Sequence, residues 1–406
     1  MRRGLLLRLS LMALLMIAGS YQAVDSTGAV WDFIHREETA RAPFSVNRLS
    51  NIISRVKPEA ERAGLKPGAR LVAVQGREYE GHSDLAVPLA TSRAGGILIV
   101  TLEDGETARI VLAPVYPSRA NLVEWFIFIV IKVAMPLLCL LLGFWVAAFR
   151  TEDPLAWILL FLLLSFSHLN GNNPTHWDGW WRAIGVIYRN LFVTTWPVWM
   201  MLFGIYFAER ISIDRRFPWI KWTLIALILA RSFIQLVLAV GAVENFQAIL
   251  AFDSFTRPLE IPLGVVYMVV IGTFFMCLGI KMGMTTQPDA RRRLILLNVG
   301  TTLSLFPTFM LALQSLIFRV PFFSGGSDVI LIPSILMMFL FPLTLAYVIV
   351  VHRALDVRVV IRQGLQYALA TRGVAILQGI TILTVIAVMF LLLSRPDVRR
   401  VEILAV

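Results

Sequence analysis

AERAGLKPGARLVAVQG, residues 60–76, breaks the long apolar runs of this chain with turn signals and short β-rich segments, and its reading divides the protein in two. Around it, residues 44–114 alternate such segments with turns: VNRLS, IISRV, RLVAVQG and ILIVTLEDGETARIVLAP. In the last, Asp104 and Gly105 stand between two strands as a hairpin turn requires. The pattern predicts a small β-rich domain over 40–116. Within it, one short helical turn falls at 59–63 and a longer helix at 84–92, which buries Leu85 and Leu89 on one side.

Outside this stretch the chain reads as membrane. A sequence that is 58% hydrophobic and 16% charged carries more apolar surface than one globular core absorbs, since soluble domains are nearer half apolar and a quarter charged. The apolar residues gather in nine runs, near 5–24, 122–149, 155–170, 191–208, 219–241, 259–280, 294–318, 329–351 and 373–394. Most approach the roughly 20 residues that cross about 30 Å of hydrocarbon. The expected fold is therefore an α-helical polytopic membrane protein with one small β-rich extracytoplasmic domain. An N-terminal segment at 1–24 precedes that domain, an eight-helix block fills 121–394, and 395–406 (ending VEILAV) reads as the start of a further span. Arg2 and Arg3, the interruption at Arg8 and the small residues Ala18, Gly19 and Ser20 fit an uncleaved anchor, which is favoured, or a cleavable signal peptide.

A net charge of +11 does not point to nucleic acid here, because basic residues in a multi-span protein mark cytoplasmic loops. With the N-terminus inside, the inner loops hold Arg150; Arg210, Arg215, Arg216 and Lys221; Lys281 and Arg291, Arg292, Arg293; then Arg353, Arg358, Arg362 and Arg372. The outer loops hold Arg182, Arg189, Arg257 and Arg319. This orientation places the β-rich domain outside the cytoplasm. The tail resists the rule, since nine spans leave Arg395, Arg399 and Arg400 outside. Cys139 and Cys277 lie in different spans and read as packing residues, not a disulfide or metal pair.

The residues of the β-rich domain resemble a PDZ domain of the bacterial type. Ile53 and Val56 fit a strand; Pro58, Ala60, Ala63, Gly64, Leu65, Pro67 and Gly68 fit the turn, helix and turn; Leu71, Val72, Val74 and Gly76 fit the next strand and its turn. Ala69 stands where the family has Asp, and Gln75 where it usually has Asn. The resemblance implies binding of an extended peptide or protein C-terminus, added as a strand beside an exposed edge. Phe44, Ser45 and Val46, a much shortened version of the loop that holds the carboxylate in that family, would be the receiving strand, and Leu85 and Leu89 the pocket wall. The alternative is a domain that braces the membrane block or pairs with a second copy of the chain as a homodimer.

Six prolines fall within spans, at 136, 197, 262, 307, 333 and 342, and read as kinks. Lys132 and Arg231 are the clear intramembrane charges, hence candidates for function as well as for interhelical bonding; neither has an acidic partner within a predicted span. Glu124 is placed at the outer interface near Lys132. The predicted outer loop 167–181, SHLNGNNPTHWDGWW, gathers His168, His176 and Asp178, with Trp177, Trp180 and Trp181 as an interfacial belt. After the eighth run, residues 350–373 form a basic amphipathic stretch. Its core at 355–364 resembles the juxtamembrane segment of bacterial sensor proteins. Such proteins join an anchor, an extracytoplasmic PDZ domain and a multi-span block to a GAF module and a SpoIIE-like serine phosphatase or a histidine kinase.

Catalytic constellations are not found. No HExxH occurs, and His35 to Glu38 lack the second histidine; the serines at 324 and 327 have no histidine nearby in sequence; no phosphate-cradling glycine loop or internal repeat is evident. The expectation is a non-enzymatic input module without metal or cofactor, whose partners are a peptide or protein C-terminus and the lipid bilayer. The alternative is a transporter or membrane-protease accessory in which the PDZ-like domain recruits substrate.

Overall fold

The computed structural model describes residues 2–47, 49–115, 120–169, 171, 174–318 and 328–350. Helix α1 (Arg2–Ile34) leads into the β region. That region comprises β1 (Ala40–Arg41), β2 (Phe44–Val46), β3 (Ile53–Val56), α2 (Pro58–Arg62), β4 (Leu71–Val74), β5 (Arg77–Glu78), α3 (Ser83–Thr91), β6 (Ile97–Leu102), β7 (Thr107–Val111) and β8 (Ala113–Pro114). The helical block begins with α4 (Leu122–Phe128), which continues through a π-helical segment (Ile129–Ala134) into α5 (Met135–Phe149). Then come α6 (Pro154–Leu169), α7 (Gly179–Tyr206), the short α8 (Ser212–Arg216), α9 (Pro218–Glu244), α10 (Leu250–Thr256), α11 (Glu260–Met284), α12 (Pro288–Phe318), α13 (Asp328–Met338) and α14 (Leu340–Val350). The ninth run at 373–394, the basic stretch beyond Val350, the serines at 324 and 327 and the tail 395–406 lie outside the described residues.

In the β region, β5-β4-β6-β7 form one antiparallel sheet, β2 and β3 a second pair, and β1 pairs with β8 so that the two ends of the region lie side by side. The ERAGL segment explains how α2 stops. Gly64, at φ +95°, turns the chain left-handed, its amide donates to the Glu61 carbonyl and the Leu65 amide to that of Ala60, the paired bonds of a Schellman cap. Leu65 is thereby delivered to the core beside Ile53, Leu71, Leu98, Val100 and Ile110. Gln75 holds φ at +52° in the two-residue turn between β4 and β5, a conformation that costs a side chain with a Cβ.

The helical block has an apolar core but also exposes large apolar side chains, as a water-soluble bundle would not. Leu5, Leu9 and Met16 of α1, Leu141 of α5, Phe233 of α9 and Val299 of α12 are exposed, while Gln22 and Asp25 of α1 are buried. Hydrocarbon, unlike water, imposes no penalty on the first group and a large one on the second. Among the described residues, five helices are long and apolar enough to cross a membrane: Gly4–Ile34, Leu122–Phe149, Pro218–Glu244, Gln247–Met284 and Pro288–Gln314. The apolar helices Pro154–Leu169 and Pro333–Ile349 are shorter. This is the architecture of a multi-pass membrane protein, with α7 packed among α6, α9 and α11.

Several boundaries differ from the sequence reading. Helix α1 does not end near residue 24 but runs to Ile34, because nothing in YQAVDSTGAVWDFI breaks a helix even though it is less apolar. The predicted loop 167–181 is shortened at both ends: α6 continues through Leu169 and α7 begins at Gly179, so Trp180 and Trp181 lie in the first turn of a helix and stack on each other at 3.9 Å. The eighth run is broken at Phe339 between α13 and α14, where Pro342 offers no amide to the carbonyl of Met338. Pro136 acts likewise on the carbonyl of Lys132. The preceding turn widens, the Met135 amide bonds back to the Val130 carbonyl, and the π-helical segment results.

Candidate functional site

Three groupings of polar or binding side chains emerge, one in the β region and one at each end of the helical block. In the β region, β2 pairs with β3 through Phe44–Val56, Ser45–Arg55 and Val46–Ile53, with a bulge between Ser45 and Val46. No strand covers its second edge among the described residues. Phe44 is buried, Ser45 exposed and Val46 half-buried. Leu85 and Leu89 of α3 are half-buried and pack against the same core as Val46. The Asp84 carboxylate accepts the amides of Glu80 and Gly81, at 2.8 and 2.9 Å, and so fixes the turn that starts α3. Nearby, the Tyr79 hydroxyl lies 3.3 Å from Nδ1 of His82, and burial, helped by the Asp84 charge, pushes its pKa up.

The second grouping lies where α1, the π-helical segment, α6 and α7 meet below the β region. Lys132, with no acidic partner in the predicted spans, is within electrostatic reach of Asp25 and Arg189. Asp25 falls on the part of α1 beyond residue 24. Asp25 and Arg189 both approach Gly171, whose carbonyl accepts from Arg189 at 3.2 Å. Tyr21 packs against His168, Tyr188 and Trp177, and Nε2 of His168 lies 3.2 Å from the Tyr188 hydroxyl. His168 is therefore a buried packing residue, whereas His176 is exposed on the 3-10 turn Pro174–His176. Among the described residues no group of three or more His, Cys, Asp or Glu side chains could hold a metal. Arg231 stands apart, its guanidinium 4.4 Å from the ring centre of Tyr267 on α11, a cation–π contact between helices. Glu124 pairs with Arg36 at 2.8 Å.

The third grouping is at the opposite end. Asp214 of α8 accepts from Nε of Arg210 at 2.6 Å and pairs with Nζ of Lys221 at 2.9 Å; Lys221 also donates to the Tyr206 hydroxyl at 2.7 Å. Burial alone would raise the Asp214 carboxyl, but the hydrogen bonds from Lys221 and Arg210 outweigh it and hold it below the usual carboxylate range. Lys281 of α11, 6% exposed, donates to the carbonyls of Gly204, Ile205 and Phe207 at 2.7, 2.9 and 2.7 Å. It caps α7, whose last carbonyls have no partners within the helix. Basic residues thus collect at the helix ends remote from the β region: Arg150, Arg210, Arg215, Arg216, Lys221, Lys281 and Arg291 to Arg293.

Two of these groupings set a hydroxyl beside an imidazole, Tyr79 by His82 and Tyr188 by His168. What they can do is hold an extended chain at an uncovered strand edge, fasten helices together, and neutralise charges at the ends of spans. Asp25, Arg189 and Asp214 were not singled out as site residues by sequence. Asp25 stands one residue past an apolar run, Arg189 reads as an outer-loop charge, and Asp214 lies between two apolar runs. No family model matches the chain, and comparison with curated proteins and with solved structures gives no match.

Proposed function

We propose that this chain is the input module of a bacterial inner-membrane receptor, whose β region is a PDZ-like domain outside the cytoplasm that takes a peptide or protein C-terminus. The uncovered edge of β2 carries this reading. A strand paired on one side only offers a peptide a row of backbone donors and acceptors, and the half-buried Leu85 and Leu89 supply an apolar wall for its terminal side chain. The gathering of basic residues at the far helix ends supports placing the β region outside and those ends inside. The sensor resemblance assigns catalysis to phosphatase or kinase domains of a longer protein and leaves this module to relay the signal.

Screening the full chain in lipid nanodiscs against a library of C-terminal peptides tests this. Binding of one class of apolar C-terminus is expected, with Leu89→Asp weakening it at least about tenfold because a carboxylate would replace the apolar wall. Equal binding by Leu89→Asp and the parent chain removes the groove assignment.

A further inference from the structure

The β region is not merely tethered to the membrane block; it is clipped to one helix. Phe246, just past α9, is 5% exposed and belongs to the core of the β region, with its ring 6.1 Å from that of Tyr79. Its amide donates to the Glu80 carbonyl at 2.8 Å, and the His82 amide donates to the Ala242 carbonyl at 3.0 Å. Ala242 is in the last turn of α9, where carbonyls lack partners within the helix, so the turn between β5 and α3 caps α9 from outside. Gly81 makes this approach feasible: a Cβ there would stand 2.3 Å from the Val243 carbonyl oxygen. Arg182 of α7 closes the joint with a two-pronged pair to Glu244, at 2.7 and 2.8 Å.

The same turn opens α3, the helix carrying Leu85 and Leu89. At the other end of α9, Lys221 in its first turn is held by Asp214 and Tyr206. A 27-residue α-helix is about 40 Å long and stiff along its axis, so α9 joins the turn 80–82 to the Asp214 cluster as one rod. Between its ends it is only lightly embedded: Ile225, Ile228 and Ser232 are buried, while Trp222, Leu229 and Phe233 are exposed. Such a helix shifts by an ångström or two more readily than the enclosed α6.

We propose that the turn 80–82 and Phe246 form a latch that makes α9 the transmitting element of this protein, carrying displacement of α3 to the Asp214 cluster. The proposal rests on the peptide-binding reading for the origin of the displacement, but the latch and rod stand on geometry alone.

Amide hydrogen exchange on the full chain in nanodiscs tests it with two variants. Gly81→Val drives a side chain into the backbone of α9, and Arg182→Gln loosens the joint without steric load. Gly81→Val is expected to speed exchange about tenfold at 80–85 and at the inner positions 211–222, with Arg182→Gln about threefold, while β6 and β7 keep parental protection. Faster exchange at 80–85 with unchanged exchange at 211–222 in both variants overturns the proposal. If Gly81→Val also deprotects β6 and β7, Arg182→Gln alone decides. A peptide that binds the parent chain should alter exchange at 211–222 there and not in Gly81→Val; an equal response in both also overturns it. If no peptide binds, the functional reading fails, while the variants still decide the latch.

Discussion

Asp25→Leu should lower the unfolding free energy by about 3–5 kcal/mol, the range found when one partner of a buried charge group is removed. Asp25 is buried in α1, and Lys132 and Arg189 reach it from two other elements of the helical block. Without its carboxylate, the half-buried Lys132 and Arg189 lose an opposite charge within reach, and its share in offsetting their desolvation goes with it. The effect belongs to the group, so Asp25→Leu combined with Lys132→Met should recover much of the loss, the excess charge having been removed with its partner. Denaturant unfolding of the purified chain in detergent, followed by tryptophan fluorescence, measures both. A single variant as stable as the parent chain would mean that the charges are neutralised by lipid headgroups or water instead of by one another.

Phe246→Ala should weaken the β region by about 3–5 kcal/mol, the cost of deleting a fully packed aromatic ring and leaving the cavity behind. The ring comes from the helical block yet fills the core formed by Tyr79, Leu71, Leu98 and their neighbours. Protection of the β6 and β7 amides should fall, while α5 and α6, which pack elsewhere, keep theirs. Unchanged protection in the β strands would show that the β region is complete without the ring.

What could be read from sequence follows the physics of each feature. Apolar runs and short alternating strands are local patterns, and the cap at Gly64 is written in consecutive residues; five of the nine spans and the small β region were legible for that reason. Leu85 and Leu89 were legible as the inner face of α3 because a helical period marks them. The long-range features were not. Phe246 reads as one more interfacial aromatic until the β region is seen to enclose it, and Gly81 reads as a turn residue until α9 passes against it. Asp25 escaped because the apolar run defining the first span ends one residue earlier, while the helix itself continues. The two ends of the loop expected at 167–181 belong to α6 and α7, and the packing of its His168 and Trp177 on Tyr21 of α1 is a contact that local turn signals cannot reveal.

A receptor of this kind needs its β region and its Asp214 cluster in different compartments. Reporter fusions in a bacterial host, alkaline phosphatase or green fluorescent protein joined after Val115 and after Arg216, test this most directly. Phosphatase activity without fluorescence is expected at Val115, and fluorescence without phosphatase activity at Arg216. The reverse pattern, or the same reporter active at both junctions, would contradict the account.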